Sequence, residues 1–153
     1  MNNYDIGIIS GYFNPIHAGH IEYANCAKTY CNKLICIINN DIQVNLKQSL
    51  VFMDDRHRKI IMENIKSIDE AIISIDKDLS VSSTLKMIVN HIYTNNPSTT
   101  IAFFNSGDRL PNNQNAKEEE ICINYNIDKI YLPLPKIFSS SILKRNSAPQ
   151  NIK

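Results

Sequence analysis

The chain has 153 residues, 43% of them hydrophobic and 20% charged, with a formal net charge of +1. That length suits one domain burying about two-thirds of its unfolded surface, and the near-neutral balance argues against a nucleic-acid or membrane-surface binder that works by bulk electrostatics. No cationic segment leads into an apolar one at the start, and no apolar stretch approaches the roughly 18 residues that span a bilayer, so a cytoplasmic protein without membrane or nucleic-acid partners is expected.

The predicted elements alternate along the chain. Residues 4–9 read as a first strand, and residues 21–30 as the first helix. Residues 33–39 form a short continuous apolar run, as expected for a strand covered on both faces. Residues 41–52 are polar and irregular, with Lys47 in the middle. Asp54 or Asp55 can cap a helix running to about Ser67. A third strand is expected over 70–75, and a long helix over 81–93 with Leu85, Ile88, Val89 and Ile92 on one face. Residues 99–104 read as strand four, 105–115 as a loop, 117–125 as a helix with the acidic run Glu118–Glu120 in solvent, and 129–132 as strand five. A short helix over 139–145 and a flexible tail over 146–153 complete the reading.

Five strands alternating with helices predict a single α/β, Rossmann-like domain over 1–145: a five-stranded parallel sheet with helices on both faces. The four cysteines lack C-x-x-C spacing and read as reduced thiols, with Cys36 filling the core. Ligands of such sheets sit at the carboxyl ends of the strands. Three clusters fall there: His17 and His20 after strand one, Gly107-Asp108-Arg109 after strand four, and Ser139-Ser140-Ser141 after strand five. Of only four glycines, Gly11, Gly19 and Gly107 lie in these loops, where glycine admits close backbone approach or a positive φ. A strand, a Gly- and Pro-containing turn and a helix entrance present backbone N–H groups to phosphate, and two histidines three residues apart add side-chain donors.

The stretch Gly11-Tyr12-Phe13-Asn14-Pro15-Ile16-His17-Ala18-Gly19-His20 resembles the H-x-G-H signature of the nucleotidyltransferase superfamily. Residues 54–61 with Ile68-Asp69-Glu70 resemble a helix and strand of the glycerol-3-phosphate cytidylyltransferases and heptose-phosphate adenylyltransferases. Asn105-Ser106-Gly107-Asp108-Arg109 resembles their glycine–aspartate loop, and Phe138–Ile142 their serine/threonine signature. The resemblance implies an enzyme that moves a nucleoside monophosphate from CTP or ATP to a small phosphorylated acceptor and releases pyrophosphate. It implies Mg²⁺ carried with the triphosphate rather than a protein-held metal, and a homodimer. CMP transfer to a polyol phosphate is the first expectation; adenylyl transfer to a sugar phosphate or cofactor precursor, and a non-catalytic nucleotide-binding module, are the alternatives.

The resemblance also implies roles. His17, His20, Lys47, Arg58 and Ser140 would act on the reacting phosphates, with Lys47 on the α-phosphate or the incoming phosphate and Arg58, less surely Arg56, clamping the acceptor. Gly11, Tyr12, Phe13, Asn14, Gly19, Gly107, Asp108, Arg109, Ser139, Ser141 and Lys144 would line the nucleotide. The family's arginine before its serine motif has no counterpart here, where Leu134-Pro135-Lys136-Ile137 stands, so its role is either absent or passed to Lys136.

Overall fold

A computed structural model of the chain describes residues 3–106 and 116–133. The elements are β1 (Tyr4–Gly11), α1 (Ala18–Lys28), β2 (Cys31–Ile38), α2 (Asp41–Leu46), α3 (Asp55–Glu63), β3 (Glu70–Ile73), α4 (Ser82–Asn95), β4 (Ile101–Ser106), α5 (Ala116–Asn124) and β5 (Asp128–Leu132). The strands form one five-stranded sheet in the order β3-β2-β1-β4-β5, and every pairing is parallel. The α/β architecture read from the sequence is thus the one that forms.

Strand alternation sorts the core into two layers. Ile9, Leu34, Cys36, Ile38, Ala102 and Phe104 share one face with Tyr23, Ala24 and Ala27 of α1 and Met62 of α3. Ile8, Ile35, Ile37, Ile101 and Phe103 share the other with Leu85, Ile88 and Val89 of α4 and Cys122 of α5. A sheet buried on both sides needs continuous apolar strands, and β2 ends in five consecutive buried residues. The chain order reverses between β1 and β4, which opens a crevice at their carboxyl ends. The strands that precede the three predicted ligand clusters, β1, β4 and β5, are consecutive neighbours in the sheet. No helix among the described residues is long and apolar enough to cross a membrane, and all four cysteines are free, with Cys36 fully buried in the core.

Three local readings need correction. The stretch after β2 is not wholly irregular: α2 starts at a capping box in which the Asn40 side chain accepts the Gln43 N–H and the Gln43 side chain accepts the Asn40 N–H. Strand β4 runs on through Asn105 and Ser106, where a loop was expected. The acidic run of α5 is not simply a solvated face, because Glu118 is buried and its Oε1 accepts the Val81 N–H at the entrance to α4.

The N-terminus of α4 has no side-chain cap from Val81, and Asp76 supplies one from the preceding loop. Its buried carboxylate accepts from Ser83 N, Thr84 N and Thr84 Oγ1 at 2.8, 3.1 and 2.5 Å. Asn40 and Gln43 bind that same loop, donating to the carbonyls of Ser74 and Asp76, and of Asp78 and Ser80. The α2 entrance, the β3–α4 loop and α4 are therefore one polar network at the carboxyl end of the sheet.

Gly7, in mid-β1, escaped the sequence reading. A Cβ there would lie 2.7 Å from both Cys31 Sγ and the Phe104 ring, so the strand can carry no side chain at that point. Gly7→Ala is expected to destabilise the fold by about 1–3 kcal/mol through overpacking. Urea unfolding monitored by circular dichroism checks this; an unchanged midpoint would contradict it.

Candidate active site

The turn between β1 and α1 is held in an unusual conformation by its own side chains. Phe13 has a left-handed backbone, φ 52, and its ring is buried. The ring folds back over Gly11, where a Cβ would come within 2.8 Å of it. Gly11 is thus required by this intramolecular packing, and its φ is not positive. The same ring meets His20 edge-on, with centroids 4.9 Å apart. Phe13 is expected from the sequence to line the nucleotide; its side chain is instead core that supports the site.

Asn14 is corrected in the same way. Its side chain is buried, donates to the Leu50 carbonyl at 2.7 Å, and accepts from the N–H groups of Phe52 and Met53. It staples the loop after α2 to the β1–α1 turn. The Asn14–Pro15 peptide bond is cis.

His17 and His20 meet as the sequence suggests. His17 is the N-cap of α1, and its Nδ1 accepts the Gly19 N–H at 3.1 Å. His20 Nδ1 accepts the His17 N–H at 3.1 Å, so a histidine pair builds the capping box usually made by Ser and Glu. The two rings stack, 3.7 Å between centroids and 21° between planes. A nitrogen that accepts a hydrogen bond carries no proton, so each neutral ring holds its proton on Nε2. Burial pushes the His17 imidazole below the usual histidine value, which keeps it neutral at pH 7. Gly19, at the second position of α1, serves through its backbone N–H. The far side of α1 is tied to the crevice by Tyr23, whose hydroxyl donates to the Phe104 carbonyl at 2.6 Å.

Arg58 does not do what its sequence neighbourhood suggests. Its side chain is wholly buried. Nε donates to Met53 O at 2.9 Å, Nη1 to Tyr12 O at 2.7 Å and to Asn39 O at 2.6 Å, and Nη2 to Asp41 Oδ1 at 2.7 Å. The guanidinium is a strut joining the β1 turn, the end of β2, the start of α2 and the approach to α3, and it has no exposed edge for an acceptor phosphate. Asp55 completes the joint by accepting the Asp41 N–H at 3.1 Å. Arg56, by contrast, is exposed on the outer face of α3.

Lys47 closes α2 as its C-cap and places its ammonium over the Tyr12 ring, 4.3 Å from the centroid. The structure thus brings Tyr12, His17, His20 and Lys47 to the carboxyl ends of β1 and β2. Gly107, Asp108, Arg109, Lys136, Ser139, Ser140, Ser141 and Lys144 lie outside the described residues. Sequence reasoning missed Asn39, Asn40, Gln43, Asp41 and Asp76, the polar scaffold beneath the site; the Asn40…Gln43 spacing was the available signal.

The sequence model of the family described as cytidylyltransferase-like matches residues 8–146. The chain is 38% identical over 66 residues to glycerol-3-phosphate cytidylyltransferase of Bacillus subtilis, covering 42% of this chain and 50% of that one. It is 33% identical over 70 residues to FAD synthase of Archaeoglobus fulgidus, covering 46% and 50%. The chain thus spans about half the length of the curated relatives it matches. Among solved structures, a bifunctional NMN adenylyltransferase/ADP ribose pyrophosphatase from Francisella tularensis shares the fold at TM-score 0.66 and 16% identity, covering 94% of this chain and 42% of that one. A second structure of that protein, complexed with AMP and a Mn ion, gives TM-score 0.60 at 18% identity, covering 94% and 41%.

The strut role of Arg58 makes a prediction that a phosphate clamp does not. Arg58→Met leaves three carbonyls and the Asp41 carboxylate without their donor, and is expected to cost about 3 kcal/mol of stability. Chemical denaturation measures it. An unchanged midpoint with weakened acceptor binding would restore the clamp.

Proposed function

This chain belongs to the cytidylyltransferase-like family, and on that premise we propose that it transfers a nucleoside monophosphate from a nucleoside triphosphate to a small phosphorylated acceptor. An acceptor phosphate oxygen attacks the α-phosphorus in line; the new bond forms there as the bond to the bridging oxygen breaks, and pyrophosphate leaves. A phosphate monoester is already an anionic nucleophile, so no general base is needed. The protein's task is positioning and neutralising charge around the pentacoordinate phosphorus.

The observation that carries the reading is the stacked His17–His20 pair at the N-terminus of α1. With both Nδ1 atoms engaged by backbone N–H groups, each neutral ring offers an Nε2 proton in a fixed orientation. Such donors stabilise a phosphate without a change of protonation, at a helix end whose dipole favours negative charge. Lys47 adds a formal positive charge, and Ser139–Ser141, Lys144 and the 107–109 loop complete the nucleotide site in this proposal. A role for Arg58 on the acceptor is not part of it.

Mg²⁺ enters as part of the substrate, bound to the triphosphate. In this proposal the cation is held by phosphate oxygens and water. CTP with a polyol phosphate is the preferred pair, supported by the likeness to the Bacillus subtilis cytidylyltransferase. The likeness to FAD synthase supports adenylyl transfer as the second reading. A homodimer in the cytoplasm is the proposed working form.

Pyrophosphate release with Mg²⁺ and either CTP or ATP, against a panel of polyol, sugar and amino-alcohol phosphates, tests the proposal. Turnover with one pair is expected, reduced about 100-fold or more by His17→Ala or His20→Ala, since removing one transition-state donor of this kind typically has that effect. Turnover undiminished in both variants would overturn the assignment of the histidines.

A further inference from the structure

Resting on the transferase reading above, we propose that Tyr12 is a positioning residue: its aromatic ring holds the Lys47 ammonium in place at the carboxyl ends of β1 and β2, the end of the sheet that also carries His17 and His20, to meet the triphosphate. The ammonium sits 4.3 Å from the ring centroid, within the range of a cation–π contact.

The two partners differ in how firmly they are held. Lys47 is exposed and stands at the end of a six-residue helix, followed by Gln48 in a left-handed conformation with φ 56. A lysine is a point charge on a flexible stem, and its own backbone does little to decide where the charge sits. Tyr12 is half-buried on a tightly held stretch of the chain. Its carbonyl accepts from Arg58 Nη1 at 2.7 Å, the buried Phe13 follows with φ 52, and Asn14 is locked to Leu50, Phe52 and Met53.

The segment from Lys47 to Met53 is thereby attached to the β1–α1 turn at both ends. Asn14 holds the far end through backbone hydrogen bonds, and Tyr12 holds the near end through the lysine head group. A ring face suits this task because of what it does to the charge. The ring quadrupole attracts an ammonium without itself neutralising the charge. The contact is made by the ring face, so the ring rather than the phenol is the working feature of the proposal.

The test is a cycle of Tyr12→Leu, Lys47→Met and the double variant, with Tyr12→Phe as the conservative control. Two quantities are read: the dissociation constant of Mg·CTP and Mg·ATP by calorimetry, and kcat/KM for pyrophosphate release. In parallel, the Lys47 ε-methylene proton shift reports ring current directly. The expected result is an upfield Lys47 shift that survives in Tyr12→Phe and disappears in Tyr12→Leu. With it, kcat/KM or affinity falls about two- to fivefold in Tyr12→Leu, is largely restored in Tyr12→Phe, and falls no further when Tyr12→Leu is added to Lys47→Met. Equal losses from Tyr12→Leu with and without Lys47, or a Lys47 shift indifferent to the ring, would overturn the proposal. A wild type that binds nucleotide without releasing pyrophosphate would remove the transferase reading yet leave the cycle decisive through affinity. A wild type that binds neither nucleotide would remove both.

Discussion

The site depends on one buried cation. Arg58 reaches from α3 into the layer between the β1 turn and the end of β2 and spends its guanidinium on three backbone carbonyls and Asp41. Loops that leave adjacent parallel strands have no ladder to pair with, and their carbonyls must find donors elsewhere. A planar, permanently charged side chain with five N–H groups can satisfy several such carbonyls at once. With Asp41 as counter-charge the desolvation of the guanidinium is offset. Tyr12, Asn39 and Met53 are then fixed relative to one another, and with them the loops on which Lys47 and the histidine pair stand.

Around that joint the structure uses side chains for work usually done by backbone. Asn14 acts as a surrogate strand edge for Leu50, Phe52 and Met53, and Asp76 caps a helix it does not belong to. His17 and His20 cap α1 with one ring nitrogen each. The capping has a chemical consequence, because it fixes the tautomer and the ring plane together. A donor aligned before substrate arrives costs no reorganisation in the transition state. Local helix physics and the proposed catalysis are served by the same two hydrogen bonds.

Much of the fold was legible in the sequence, because strands covered on both faces must be continuously apolar and the intervening helices carry apolar stripes. The short helix α2 was not: of its three apolar residues only Val44 is buried, while Ile42 and Leu46 are 54% and 51% exposed, so no apolar stripe marks its inner face and only the Asn40…Gln43 cap betrays it. The histidine pair was readable from spacing alone, since positions three apart at a helix entrance must be neighbours. Asn14 and Arg58 were misread for a common reason. Each matches a family motif, Asn14 beside the histidines and Arg58 in the basic helix, and only tertiary structure reveals that the side chain is spent on backbone groups. The contact between Tyr12 and Lys47 joins distant parts of the chain and has no local signature.

In the proposed reaction the histidine pair contacts substrate phosphate while Arg58 remains a strut. A crystal structure with a non-hydrolysable CTP or ATP analogue tests it most directly. Phosphate oxygens are expected within hydrogen-bond distance of Nε2 of His17 and His20, with the Arg58 guanidinium still on the carbonyls of Tyr12, Asn39 and Met53. Phosphates bound away from the α1 entrance, or an Arg58 side chain turned out to meet them, would contradict it.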